Sequence, residues 1–387
     1  MIATRKTGLI LAGGGARAAY QVGVLKAVSE LLGEPRDNPF PIVCGTSAGA
    51  INAAALAIRA DDFAGAVRYL VGVWEAFQCH HVYRSDWPGI IRTGNRWLTA
   101  LMLLNRANPI SLLDNTPLRE LLVRTMEFER IQANIDNGAL YAVSVTASGY
   151  TSGQSVTFYQ GGSGVEDWER WQRVGASTTL NVDLLLASSA LPFIFPAVKV
   201  HREFFGDGSM RQIAPISPAL HLGADRVLVI GTGRQSQEPT RVRSNLYPSL
   251  AQIAGHALNS IFLDSLSVDI ERLQRINKTL QCVSPERAEE VGLRLRPIDV
   301  FVLQPSQPIE RITARYVQHF PRAVRFLLRT VGAMNRNGSN LASYLLFEAP
   351  FTRALMDLGY GDTMSRRDEM LAFLRRGAED SPPPTPA

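Results

Sequence analysis

The sequence predicts an α/β protein with a mostly parallel central sheet. Three observations carry this reading. Short apolar runs of strand length alternate with helix-periodic segments from about residue 8 to residue 232. The runs are apolar throughout, as in strands covered by helices on both faces. Two of them run directly into glycines, where the chain must turn sharply.

The elements follow in order. Gly8–Ala12 (GLILA) reads as the first strand. Arg17–Leu32 has apolar residues at helical spacing, with Gly33 behind it as a stop. Pro41–Cys44 (PIVC) is a second buried strand, and Ala48–Arg59 is an alanine-rich helix. Ala139–Thr146 and Val156–Tyr159 read as strands, AVKVHREFF (197–205) as a hairpin, and Arg226–Thr232 as a further strand. From about residue 245 the character changes. Leu250–Leu280 is one long helical pattern, residues 298–303 (IDVFVL) give one more strand, and helical sequence continues through Arg376. This divides the chain into an α/β part over 8–232, a mainly helical C-terminal region over 245–376 packed on it, and a Pro-rich polar tail over 378–387, expected to be disordered.

Composition narrows the function classes. The 387 residues, 46% hydrophobic and 19% charged, suit one large domain or one domain with an elaborate C-terminal part. The first apolar run is too short for a signal-peptide core, and no run approaches the ~18 apolar residues of a membrane span. A cytoplasmic protein, peripheral to membranes at most, is expected. Cys44, Cys79 and Cys282 form no CxxC pair, so neither a disulfide framework nor a metal site is expected, and no cofactor is called for. The net charge of +5 is spread along the chain. Without a dense basic block, nucleic acid is not an expected partner, whereas anionic lipid headgroups are compatible.

Chemistry concentrates at two glycine-rich turns. In GTSAG, Gly45 and Gly49 flank Ser47 between a buried strand and a helix. Small residues there permit a tight strand-to-helix elbow, which presents a serine hydroxyl at the positive end of the helix. In the other turn, Gly13, Gly14, Gly15, Ala16 and Arg17 follow the first strand. Their backbone N–H groups can converge on an oxyanion or on a phosphate, with Arg17 adding charge at the rim. Gly13, Gly15 and Ala18 also fit the dinucleotide pattern GxGxxA, but the next strand ends in Cys44-Gly45-Thr46-Ser47 and supplies no ribose-binding acid. For a base, His256 or His319 would suit the chain order of common serine hydrolases, yet neither lies in a recommending context. Asp207, between Gly206 and Gly208 after the hairpin, is the better candidate.

These blocks together resemble the patatin-like phospholipases. GGGARAAYQVGVL, GTSAG, ASSALPFIFP (187–196) and DGS at Asp207, followed by Pro215 and RVLVIGT, occur in that family's order over about residues 8–232. Two positions depart from its usual pattern: Ala18 where a glycine is common, and Ser209 as the third residue of DGS. The resemblance implies a three-layer α/β/α patatin-like fold with a helical C-terminal extension. It also implies a lipid acyl hydrolase in which Ser47 is the nucleophile, Asp207 its base, and the glycine turn the oxyanion hole. The substrate would be a phospholipid or another acyl ester. An acyltransferase on the same dyad and a non-catalytic lipid-binding scaffold are the alternatives. The segment 87–113, acid-free and carrying Trp87, Trp97, Arg92, Arg96 and Arg106, reads either as a lid that touches the membrane transiently or as a covering helix whose apolar face is core. The sequence does not fix the oligomeric state.

Overall fold

In the computed structural model of the chain, the described residues are 6–89, 91–92, 111–233, 249–284, 287, 290, 295–330, 332–334 and 339–379. Ten strands form a single sheet. Its centre is five parallel strands in the order β10 (Asp299–Leu303), β9 (Ala224–Ile230), β1 (Lys6–Leu11), β2 (Ile42–Thr46) and β3 (Ala142–Gly149). Beyond β3 the sheet is mixed, with antiparallel pairs and one parallel pair, between the fourth and sixth strands. There β3 pairs with β4 (Ser155–Gly161), and its far end also pairs with β8 (Glu203–Asp207). β5 (Trp168–Arg170), β6 (Arg173–Ser177) and β7 (Val198–Val200) complete this side.

Side chains of β1 alternate between two cores. Leu9 and Leu11 enter one, and Ile10 enters the other with Ile42, Cys44, Val227 and Val229. The first is covered by helices α1 (Ala19–Leu31), α2 (Ala48–Ile58) and α3 (Phe63–Glu75). The second is covered by the helices Ser217–His221 and Ser265–Leu280. Helices on both faces of one sheet make the three-layer α/β/α fold.

The C-terminal region is more deeply involved than a covering extension. It donates β10 to the sheet, parallel to β9. Its helix Ala349–Ser365 lies against α1 with backbones in contact, through a glycine on each helix. A Cβ on Gly23 would sit 1.9 Å from the Met356 carbonyl oxygen, and one on Gly359 would sit 2.2 Å from that of Tyr20. The long pattern over 250–280 is helical throughout but contains a π turn, Ser260–Asp264, between Leu250–Asn259 and Ser265–Leu280. The last helix runs through Glu379, so Ala378 and Glu379 end a helix rather than begin a tail; residues 380–387 lie outside the described residues. Among the described residues no helix is long and apolar enough to cross a membrane.

Gly→Ala normally stabilises a helix interior by ~1 kcal/mol. At Gly23 the sign reverses, because the added methyl meets a carbonyl oxygen. Gly23→Ala is expected to destabilise the fold by about 1–3 kcal/mol in chemical denaturation. A neutral or stabilising result would mean that the two helices do not pack in this way.

Candidate active site

The site begins with the backbone of Ser47. β2 ends at Thr46 and α2 starts at Ala48, so one residue makes the whole turn. Ser47 holds φ 56° and ψ −130°, in the left-handed half of conformational space that side-chain-bearing residues avoid. Its neighbours make the elbow possible. A Cβ on Gly45 would lie 2.4 Å from the Gly49 carbonyl oxygen, and one on Gly49 would lie 2.3 Å from that of Leu11. The elbow is then tied down. The Ser47 N–H donates to Ser188 Oγ at 2.9 Å, the Ser188 hydroxyl donates to the Thr146 carbonyl at 2.6 Å, and the Ser47 carbonyl accepts from Ala50 N–H at 2.9 Å.

Asp207 arrives from the other side of β3. It is the last residue of β8, in register with Ala147, and its N–H donates to the Ala190 carbonyl at 2.9 Å. The following Gly208 leaves no room for a Cβ, which would meet the Thr146 carbonyl oxygen at 2.0 Å. Asp207 is fully buried. Its Oδ1 accepts from Ser209 N–H at 3.0 Å. Burial pushes the carboxyl up to about 6, and the Ser47 hydroxyl, the Ser209 N–H and the Ser209 hydroxyl restrain that rise. Ser47 is thus near enough to act on the charge of Asp207. The two nevertheless form no hydrogen bond of ordinary geometry, and Asp207 Oδ2 has no partner among the described residues.

The glycine turn lies beside them. Gly13–Arg17 leads from β1 into a 3-10 turn, Gly15–Ala18, that runs on into α1. The N–H groups of Ala12 and Arg17 are engaged, to Ile230 and Gly14 carbonyls at 3.2 and 3.1 Å. Those of Gly13, Gly14, Gly15 and Ala16 have no acceptor among the described residues. The turn is fixed by Thr232 Oγ1 donating to the Gly13 carbonyl at 2.5 Å, and by buried Gln21 donating to the Ala12 carbonyl at 2.7 Å. Ser209 also packs here, since a Cβ on Gly13 would come within 2.4 Å of its Oγ.

Arg17 requires a correction. The sequence places its charge at the rim of the site, or in solvent, but the side chain is wholly buried and does not line the cavity that holds Ser47. Its Nε donates to Ser343 Oγ at 2.7 Å, and its Nη2 donates to Asn340 Oδ1 at 2.5 Å and Glu310 Oε1 at 3.0 Å. The guanidinium stacks on Tyr344 at 4.1 Å. These partners lie at least 293 residues away along the chain, beyond the reach of any local pattern. The helix Ser339–Leu345 that carries three of them also presses the Tyr344 carbonyl onto Gly15, where a Cβ would come within 2.3 Å.

Ser47 and Gly15 line a narrow apolar cavity of about 90 Å³ that is partly open to solvent. Its walls come from α2 and α3 (Ile51, Ala55, Leu70, Val73, Trp74), from the helix Thr116–Thr125 (Leu118, Leu121, Leu122) and from Leu191, Phe195 and Phe347. Most of the expected lid, residues 90 and 93–110, lies outside the described residues. No histidine lines the cavity, and His256 and His319 are both exposed on C-terminal helices. No group of three His, Cys, Asp or Glu residues could hold a metal among the described residues. Sequence reasoning missed Ser188, Gln21 and Asn52. Asn52 accepts from Trp74 Nε1 at 3.0 Å and donates to Gln21 Oε1 at 3.0 Å, which joins the cavity wall to the glycine turn. For Gln21 and Asn52 the available signal was a single polar residue among the buried positions of an otherwise apolar stretch of helix.

Comparison with known proteins decides the family. The profile of the patatin-like phospholipases matches residues 9–220. The chain belongs to the patatin-like phospholipase family. A cGAMP-activated phospholipase from Pseudomonas aeruginosa is 28% identical over 213 residues, 55% of each chain. A cUMP-AMP-activated phospholipase from Escherichia coli is 50% identical over 102 residues, 26% of this chain and 28% of that one. The match thus spans about half the length of the first relative and less of the second. A crystal structure of VipD from Legionella pneumophila aligns over 95% of this chain and 67% of that one, with 13% identity and a TM-score of 0.35.

A carboxyl that titrates near 6 when folded, against an ordinary 3.8, binds its proton more tightly in the native state. Its protonated form contributes stability that is complete below about 3.8 and is lost as the pH rises through 6. Asp207→Asn is therefore expected to melt above wild type at pH 8, with the difference vanishing by about pH 4. Ser209→Ala removes a restraint and should move the Asp207 titration to higher pH, read by carboxyl-carbon NMR. A difference in melting temperature that does not change with pH would contradict this environment for Asp207.

Proposed function

We propose that the protein is a lipid acyl hydrolase of the phospholipase A or esterase type, working through Ser47 and Asp207. The observation that carries this reading is the meeting of a strained serine, a buried carboxylate of raised pKa and a row of unpartnered N–H groups beside an apolar cavity that Ser47 and Gly15 line. The acyl chain lies in the cavity with its ester carbonyl at Ser47. Asp207 takes the hydroxyl proton as Ser47 attacks and returns it to the leaving alcohol. The N–H groups of Gly14, Gly15 and Ala16 stabilise the tetrahedral oxyanion. Water then attacks the acyl-enzyme, with Asp207 again as base. A carboxyl titrating near 6 is a stronger base than an ordinary aspartate and is still largely ionised at pH 7. An ester suits this dyad better than an amide, because an alkoxide leaves more readily than an amine anion.

The two curated relatives are activated by cGAMP and by cUMP-AMP. We extend that control to this chain and propose a cyclic dinucleotide as its activator. The seating of the C-terminal helices on the glycine turn supports this, since it gives a distant ligand a route to the oxyanion donors.

The test is hydrolysis of p-nitrophenyl esters and phospholipid vesicles, with and without each cyclic dinucleotide. Wild type should turn over both substrates, faster with an activator. Folded Ser47→Ala and Asp207→Asn should each lose at least about 10³-fold in kcat. Full activity in either variant would overturn the dyad. Equal rates with and without every nucleotide tried would overturn the control. A folded wild type silent on every ester would favour a lipid-binding scaffold.

A further inference from the structure

The loop that follows Ser188 and Ser189 carries a residue the chemistry above does not use. Leu191-Pro192-Phe193-Ile194 is a tight turn, with Ile194 N–H donating to the Leu191 carbonyl at 3.1 Å. Proline at the second position suits such a turn, and a left-handed third position calls for glycine or asparagine. The third residue here is Phe193, at φ 64°. A bulky side chain in that conformation is a steric cost. Core packing does not offset it, because Phe193 is 78% exposed, the most exposed large apolar side chain among the described residues. The turn is anchored on both sides. Ile194 and Phe195 are buried, the Phe193 carbonyl accepts from Leu112 N–H at 2.8 Å, and the Ile194 carbonyl accepts from Leu113 N–H at 2.8 Å. The ring is therefore held out rigidly.

Its position names the partner. Leu191 and Phe195, on either side of the turn, line the apolar cavity that Ser47 also lines. Phe193 thus stands on the outer side of the wall that these two residues form. We propose that Phe193 is an interfacial anchor that enters the acyl region of a lipid surface and seats the cavity mouth against it. The proposal rests on the lipid-hydrolase reading and adds to it the surface of approach. On a membrane the ring exchanges water for hydrocarbon, which offsets the strain of its backbone.

The turn conformation supplies an unusually clean variant. Asparagine tolerates a left-handed backbone, so Phe193→Asn should fold at least as stably as wild type while presenting no apolar group. Two readouts are needed: flotation with phosphatidylcholine–phosphatidylglycerol vesicles, and the ratio of vesicle hydrolysis to soluble-ester hydrolysis. Wild type should float, and Phe193→Asn should bind about tenfold more weakly, with its hydrolysis ratio falling by a similar factor. Phe193→Trp should restore both. Unchanged flotation in a folded Phe193→Asn, or a wild type that does not float, overturns the proposal. Flotation is independent of turnover, so an inactive wild type that still floats through Phe193 would sink the hydrolase reading and leave the anchor standing.

Discussion

Everything at this site depends on one strained residue. Ser47 alone turns the chain from strand to helix, at φ 56° and ψ −130°. That conformation costs of the order of 1–3 kcal/mol and persists only where the surroundings over-determine it. Here they do so from three directions. Gly45 and Gly49 let the backbones close to distances no side chain would allow, Ser188 holds the Ser47 N–H, and the first turn of α2 holds its carbonyl. Relaxing any of these would let the serine rotate away from Asp207 and the glycine turn. The strain is how the sheet delivers a hydroxyl to a fixed point.

The same logic extends to the charges. Asp207 sits where water cannot solvate it, and few donors are provided for it. Its carboxylate is therefore more basic than usual and less stable than it would be in water. Arg17 is the complementary case, a buried cation whose side chain is turned from the reaction and given to the C-terminal region. By binding Ser343, Asn340 and Glu310 it makes the glycine turn a shared product of both ends of the chain. The C-terminal region is thus a structural part of the site, through Arg17, the Tyr344 carbonyl and the π turn that lays Phe262 on Gly13.

What was legible in the sequence was what local chemistry determines. Strand β1, strand β2 and the elbow between β2 and α2 follow from apolar runs and small residues within about five positions of one another. Asp207 was legible because two glycines hold it in a turn after a hairpin. Strands β5 and β6 were missed, since Trp168–Arg170 and Arg173–Ser177 are short and partly exposed and carry no sustained apolar run. Arg17 was misplaced because a first-turn arginine looks solvated until its distant partners are known. Ser188 was seen only as part of a block, because a serine that supports a neighbouring strand by one hydrogen bond has no signature of its own. The cavity walls come from α2, α3 and the helix Thr116–Thr125, whose apolar faces read equally well as ordinary core.

The central claim is that the fold, and not the serine side chain itself, makes Ser47 reactive. The most direct measurement is covalent labelling of the folded, substrate-free protein with a fluorophosphonate, followed by peptide mapping. A single adduct on Ser47 is predicted, forming faster as the pH rises through about 6 and absent after unfolding. An adduct on another serine, or a folded protein that stays unlabelled at pH 8, would contradict the account.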